Sequence, residues 1–166
     1  MFDRLVIGVD PGMASTGMAA VGSSGGRSEI ATATTVRTPA GMPEAKRLLD
    51  LHNAVADALA EHRPEALAIE SLMWGKNIGS AMAVARASGV ILLAAAERGI
   101  PVHEYAPLEV KMAITGSGAA AKQDVRRALE KLHGLADVPS QPDAADAVAV
   151  ALCHLSQSRA LREAAN

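Results

Sequence analysis

Aromatic side chains are scarce in this sequence: Phe2, Trp74 and Tyr105 are the three among 166 residues. The interior must therefore be built from small and aliphatic side chains, and the 35 alanines favour helices that pack closely. The single cysteine, Cys153, excludes an intramolecular disulfide framework and any zinc site made of several cysteines. Any catalytic or metal site must then depend on acids, bases, hydroxyls or imidazoles.

The chain also lacks a strong charge of either sign, a basic-then-apolar leader and an unbroken apolar run of 18 residues. These absences predict a cytoplasmic protein without a membrane segment. The 16 basic and 18 acidic residues give a net charge of −2. That value weighs mildly against a nucleic-acid-binding protein, but a basic face balanced by acids elsewhere would give the same sum.

Hydrophobic periodicity predicts alternating strands and helices in one domain. We predict strands at residues 4–10, 17–22, 30–38, 66–70 and 101–105, and helices at residues 43–62, 77–98, 107–114, 122–132 and 142–155. The order indicates an α/β fold with one mixed five-stranded sheet flanked by helices, in which the first three strands form an antiparallel meander. The domain is predicted to span residues 1–156, and a polar tail at residues 157–166 is predicted to be flexible.

Four carboxylates occupy positions at which a functional site is expected. Asp10 and Glu70 each end a predicted buried strand, and sites in α/β sheets collect at the carboxyl ends of strands. Asp143 and Asp146 lie three residues apart at the start of the last helix, so both lie on one helix face. Asp143 could instead cap the helix, and Asp10 could simply begin the turn at Pro11.

Such carboxylates repel each other if they converge, unless divalent cations lie between them. Hard oxygen ligands suit Mg²⁺ or Mn²⁺. Two such ions about 4 Å apart are typical of phosphoryl transfer, in which one activates a water and the other stabilises the leaving oxygen. With four acids neutralised in this way, the remaining acids would be fewer than the 16 bases.

Several motifs, in order along the chain, resemble the RuvC family of bacterial Holliday junction resolvases. They are Ile-Gly-Val-Asp-Pro-Gly ending at Gly12, Ala-Ile-Glu ending at Glu70, Glu-Val-Lys ending at Lys111, Thr-Gly-Ser-Gly ending at Gly118, and the segment 143–155. The first motif occurs in many ribonuclease H-like proteins, whereas the ordered set is specific. The resemblance covers residues 6–155.

The resemblance implies a ribonuclease H-like nuclease domain and a metal-dependent endonuclease. The metal-binding and catalytic acids of the family correspond to Asp10, Glu70, Asp143 and Asp146, with two Mg²⁺ ions per site and Mn²⁺ as a substitute. Lys111 and Lys122 correspond to the basic residues that contact DNA phosphate. A homodimer would introduce two symmetric nicks in a four-way DNA junction, and the branch-migration proteins RuvA and RuvB would be its partners.

One segment departs from the family pattern. The family usually has an aromatic residue three positions after the strand-ending glutamate, where it meets unpaired bases, and here that position is Met73. Trp74 follows and could stack on bases in its place, because stacking tolerates any base. With Lys76 close by, Met73 and Trp74 are predicted to contact DNA, although a lone tryptophan is also often a core residue.

Other functions are compatible with parts of the same pattern. Another ribonuclease H-like nuclease, acting on an RNA–DNA hybrid or on RNA, would share the first motif. A non-catalytic junction-binding protein would share the fold, but the presence of all four acids argues against it. An actin-like ATPase also opens with Asp-x-Gly, yet this chain is too short for the two domains that clamp a nucleotide.

Overall fold

The computed structural model describes residues 2–72 and 78–164. The strands are β1 (Arg4–Asp10), β2 (Ser15–Ser24), β3 (Arg27–Arg37), β4 (Ala66–Glu70) and β5 (Val102–Tyr105). The helices are α1 (Glu44–His62), α2 (Ile78–Ala96), α3 (Pro107–Thr115), α4 (Lys122–Lys131) and α5 (Pro142–Ala164). Element order and type therefore follow the prediction from the sequence.

The five strands form one mixed sheet in the order β3-β2-β1-β4-β5. β1 to β3 form the predicted antiparallel meander, and β4 and β5 run parallel to β1. This arrangement gives β1 a parallel neighbour on one side only. The carboxyl ends of β1 and β4 consequently meet at the same edge of the sheet.

Two helical layers cover the two faces of the sheet, and strand alternation decides which residue faces which layer. Ile7 and Val9 of β1 pack in the core formed with α1 and α2. Val6 packs in the other core, with α3, α4 and α5. Gly8 also faces this second layer, since a Cβ there would lie 2.1 Å from the carbonyl oxygen of Ala147 in α5. Even-numbered residues of β1 thus point toward α5.

The meander strands and the last helix are longer than predicted. β2 begins at Ser15 and β3 at Arg27, because their ends gain ladder hydrogen bonds that carry no hydrophobic signal. α5 does not end near residue 155 but continues to Ala164. The residues after Leu155 are mostly good helix formers, so the backbone extends the helix beyond the part that packs on the sheet.

Helix α2 is unusual in being apolar on both faces. Its length and composition would be sufficient to cross a membrane, but this is weak evidence because a buried core helix satisfies the same criteria. Its inner side includes Ala87 and Ile91, which are fully buried against the sheet. The helix is therefore part of the domain core, and its outer face needs a separate explanation.

Candidate active site

The two strand-ending acids are neighbours at the carboxyl edge of the sheet. Val9 of β1 pairs with Ile69 of β4 in parallel register, so Asp10 and Glu70 follow at the next position of each strand. Residue alternation turns both side chains toward α5. The two carboxyl groups lie close enough that the charge of Glu70 helps to raise the pKa of Asp10.

The first turn of α5 is held against this same edge. Gly17 of β2 pairs with Asp10 of β1, and a Cβ on Gly17 would lie 1.8 Å from the carbonyl oxygen of Asp143. Only glycine allows this approach of strand and helix. The contact brings Asp143 beside the end of β1, and Asp146 follows one turn later on the same helix face.

The electrostatics show that the four acids act on one another. Burial raises the pKa of Asp10 to about 7, and the negative charges of Glu70, Asp146 and Asp143 add to that rise. Burial, followed by the charge of Asp146, also raises the pKa of Glu70. The negative charges of the two strand ends and the helix start therefore act on one another, and the charge of Lys122 opposes them in part.

Two lysines lie near the cluster. The Lys122 ammonium donates a hydrogen bond to Asp146 Oδ2 at 2.8 Å, and this contact raises the pKa of the lysine. Lys111 on α3 is close enough for its charge to oppose the rise in the pKa of Glu70. Both lysine charges therefore act on the carboxylate cluster, and their contact with DNA phosphate stays a prediction.

The donor set fits a hard divalent cation. Four carboxylates supply only oxygen ligands, and the Lys122 ammonium already provides Asp146 with one of the positive charges that the cluster lacks. In the part of the chain that is described, no three acidic, histidine or cysteine side chains form a ready-made metal group. The Asp146 carboxylate is directed to the Lys122 ammonium.

Met73, Trp74 and Lys76 lie outside the described residues. On α4, Arg126 is not a free basic residue of the surface, since it donates to the carbonyl oxygens of Val138 and Pro139 and pairs with Glu130. It fixes the loop that precedes α5.

The sequence analysis missed one polar residue of the site. Ser15, the first residue of β2, donates a hydrogen bond from Oγ to Asp143 Oδ2. A signal for it existed, because Ser15 lies two residues before Gly17 and so shares its strand face. Without knowledge of the pairing between β2 and α5, a serine in a turn gives no reason to assign it to the site.

Comparison with known proteins identifies the family to which the chain belongs. The family described as crossover junction endodeoxyribonuclease RuvC matches residues 6–154. This chain belongs to the RuvC family. The RuvC of Chloroflexus aurantiacus is 44% identical over 148 residues, which cover 89% of this chain and 90% of that protein. The RuvC of Mycolicibacterium vanbaalenii is 47% identical over 150 residues, covering 90% and 77%.

Solved structures agree with this relationship. Thermus thermophilus RuvC in complex with a Holliday junction substrate matches with a TM-score of 0.88 and 34% identity, covering 94% of this chain and 95% of that one. The yeast mitochondrial Holliday junction resolvase matches with a TM-score of 0.69 at 12% identity, covering 95% and 82%, which bears on the fold alone. The ribonuclease H-like fold is therefore confirmed.

Membership of the RuvC family also confirms the predicted enzyme class. The chain is a metal-dependent crossover junction endodeoxyribonuclease, and its function is Holliday junction resolution in recombination and repair. The reaction class thus follows from family membership. The contacts described above concern which residues of this chain would carry out the reaction.

Proposed function

We propose that this RuvC cuts four-way DNA junctions by paired symmetric nicks, with Asp10, Glu70, Asp143 and Asp146 as its metal-binding and catalytic residues. The observation that carries the proposal is the convergence of two strand ends and one helix start. The proposal is supported by the charges of Glu70, Asp146 and Asp143, which add to the rise in the pKa of Asp10, and by the charge of Asp146, which raises the pKa of Glu70. Fully solvated carboxylates would not repel each other to this extent.

The side chains divide the work according to their positions. Asp10 and Glu70, whose pKa values are raised by burial, would hold the metal ions together with Asp143. Asp146, at the edge of the cluster, would complete the ligand set or orient the attacking water. Lys111 and Lys122 would bind the scissile phosphate, since their charges already face the acids.

The expected metal is Mg²⁺, with two ions per site and Mn²⁺ as a substitute. When bound, such ions lower the pKa of a water and stabilise the oxygen that leaves phosphorus. The chain's own residues prepare for this chemistry. Asp10 and Glu70 would hold the ions with carboxylates whose raised pKa values positive charge would lower, and Lys122 would bind phosphate once a cation replaced it at Asp146.

Paired nicks require two active sites, and the outer face of α2 supports a homodimer. Exposed residues recur along one stripe of this helix, which we call the α2 stripe: Ile78, Met82, Ala85, Gly89, Leu93 and Ala96. The stripe lies opposite the buried side, and its small residues allow close approach of another helix. A two-fold axis through the stripe would pair α2 with its copy in a self-complementary interface.

The remaining expected contacts complete the proposal. Met73, Trp74 and Lys76 follow Glu70 in the sequence and would meet the bases at the junction centre. RuvA and RuvB would deliver the junction, in the cytoplasm. These partners are supported by family membership alone, and the catalytic assay below needs neither of them.

The decisive experiment is a cleavage assay with purified protein and Mg²⁺ on three substrates. These are a mobile four-way junction, a linear duplex and an RNA–DNA hybrid of equal length. We expect paired nicks on opposite strands of the junction alone. Asp10→Asn should reduce the rate at least about 1,000-fold while junction binding without metal persists, since only the metal ligand is lost.

The matched control is Asp57→Asn, an exposed acid on α1 distant from the cluster. It should cleave at the rate of the wild-type protein. Cleavage of the hybrid would move the protein to another branch of ribonuclease H-like nucleases. Wild-type cleavage by Asp10→Asn would overturn the assigned site, and binding without any cut would leave a structural junction binder.

A further inference from the structure

We propose that Ser15 is a positioning residue of the active site, which orients the Asp143 carboxylate for metal binding. The inference rests on the proposed function, because it concerns a ligand of the proposed metal site. Ser15 Oγ donates to Asp143 Oδ2 across 128 residues of sequence. This bond leaves Oδ1 of Asp143 without that donor and so available to a cation.

Asp143 and Asp146 have different polar partners from outside the carboxylate cluster. Asp146 accepts a hydrogen bond from the Lys122 ammonium, and Asp143 accepts one from Ser15. The contact with Lys122 must change when cations enter, because the positive charge of the lysine competes with theirs. The serine hydroxyl carries no charge, so its bond to Asp143 can persist beside a metal ion. Ser15 is therefore suited to a permanent supporting contact.

The backbone around Ser15 is held rigidly. Thr16 Oγ1 donates to the carbonyl oxygen of Gly12 at 2.6 Å and accepts from the Gly12 N–H at 3.3 Å. Thr16 is almost fully buried, so this bond is shielded from water. The turn that leads from Asp10 to Ser15 is thus closed on itself, so the supporting serine lies at the end of a short rigid segment.

The same turn is also anchored from outside. Arg47 of α1 donates to the carbonyl oxygen of Met13 at 3.1 Å and to Thr38 Oγ1 at 3.0 Å. The Thr38 N–H donates to the carbonyl oxygen of Ala14 at 3.1 Å. With two carbonyls of the turn fixed in this way, the Ser15 hydroxyl is presented at a defined place.

Strand alternation aligns Ser15 with α5. Ser15 and Gly17 share one face of β2, and Gly17 is the residue whose missing side chain admits the backbone of Asp143. One strand face therefore contacts both the main chain and the carboxylate of the same aspartate. The contact at Gly17 fixes the position of the first turn of α5, and the Ser15 hydroxyl fixes the orientation of the Asp143 carboxylate.

Partners of metal ligands are known to affect metal affinity strongly. Removal of such a hydrogen bond typically weakens binding or activity about 10- to 100-fold. Ser15→Ala should therefore bind Mn²⁺ about 10-fold more weakly, and its cleavage should need about 10-fold more Mg²⁺. Ser15→Thr keeps the hydroxyl and should bind Mn²⁺ like the wild-type protein.

The test is a calorimetric titration of Mn²⁺ into the DNA-free protein, followed by cleavage rates across a Mg²⁺ series. Ser24→Ala, at the exposed opposite end of β2, is the matched control and should behave like the wild-type protein. Junction binding in EDTA should be the same for all variants. A purely structural role would not predict rescue by threonine together with unchanged binding of DNA.

Several outcomes would overturn the inference. Wild-type Mn²⁺ affinity in Ser15→Ala would show that the hydroxyl does not support the ligand. Failure of Ser15→Thr to recover affinity would assign the effect to packing. Failure of the proposed site looks different, because Asp10→Asn would then bind Mn²⁺ and cleave as the wild-type protein does, whatever the Ser15 variants show.

Discussion

At the scale of single residues, the clustered acids of the active site destabilise the folded protein in the absence of metal ions. Asp10 lies beneath a helix and beside three other acids, and its pKa rises to about 7 from the ordinary 3.8. A carboxyl group with a raised pKa in the folded state favours the unfolded chain once it ionises. The destabilisation is absent below about pH 4 and grows until the pH exceeds about 7.

This reasoning predicts that Asp10→Asn stabilises the metal-free protein. In EDTA at pH 8, the free energy of unfolding should increase by about 1–3 kcal/mol, less than the full pKa shift implies because water still screens the site. At pH 4 the difference should nearly vanish. Urea denaturation at both pH values would measure it, with Asp57→Asn as the control.

A loss of stability at pH 8 would contradict this prediction. Mg²⁺ provides a second check, because it should stabilise the wild-type protein more than Asp10→Asn. An ion that binds only the folded state raises the free energy of unfolding by an amount that grows with the logarithm of its affinity, and the variant lacks one of the metal-binding side chains.

At the scale of elements, the site depends on how closely α5 approaches the sheet. Gly8 and Gly17 remove the side chains that would separate the helix from β1 and β2. Fully buried small residues of α5, such as Ala147 and Ala151, complete the contact from the other side. The abundance of alanine is explained in part by this contact, because small residues allow α5 to lie close to the strands.

Gly8→Ala should therefore be severely destabilising. Its Cβ would lie 2.1 Å from the carbonyl oxygen of Ala147 and 2.6 Å from the amide nitrogen of Ala151, both backbone atoms that cannot rotate away. We expect a loss of about 3 kcal/mol in the free energy of unfolding, together with a loss of cleavage as α5 shifts. Denaturant unfolding and the junction assay would measure the two effects.

Gly41→Ala is the matched control, because no atom lies within 4 Å of a Cβ at that position. Its stability should change by less than about 0.5 kcal/mol. Equal effects of the two substitutions would mean that the close approach of α5 is not what Gly8 provides.

At the scale of the whole molecule, the α2 stripe is the feature that one copy of the chain leaves unexplained. Ile78 is 68% exposed and Leu93 53% exposed on a helix that carries almost no charge. A second copy would cover this surface and would supply the second active site that paired nicks need.

Met82→Glu should disrupt such a dimer. The change places a carboxylate in the middle of the α2 stripe, where each copy would bury an unpaired charge against its partner. The dissociation constant of the dimer should rise about 100-fold, and junction cleavage should change from paired to independent single nicks. Sedimentation analysis and a nick-pairing assay on a supercoiled cruciform would measure these effects.

Leu132→Glu supplies the comparison. Leu132 is 72% exposed at the end of α4, so the same change in charge there should leave the dimer intact. A dimer that survives Met82→Glu, or one that both substitutions disrupt equally, would argue against the α2 stripe as the interface.

Local patterns in the sequence predict the order of the elements and single out four candidate site residues. Asp10 and Glu70 were predicted because an acid that ends a buried strand costs free energy unless a partner or a metal ion compensates its charge. Such strands are evident from local hydrophobicity. Asp143 and Asp146 were predicted from a spacing of three at a helix start. All of these signals lie within a few residues of sequence.

How these segments meet could not be predicted from local patterns and is seen in the tertiary structure alone. The bond from Ser15 to Asp143, the anchoring role of Arg126 and the exposure of the α2 stripe depend on contacts between distant segments. The extension of α5 to Ala164 likewise followed from helix propagation beyond the packed region. Local patterns record which face of a strand or helix is apolar, whereas the partner of a polar side chain is set by packing across the fold.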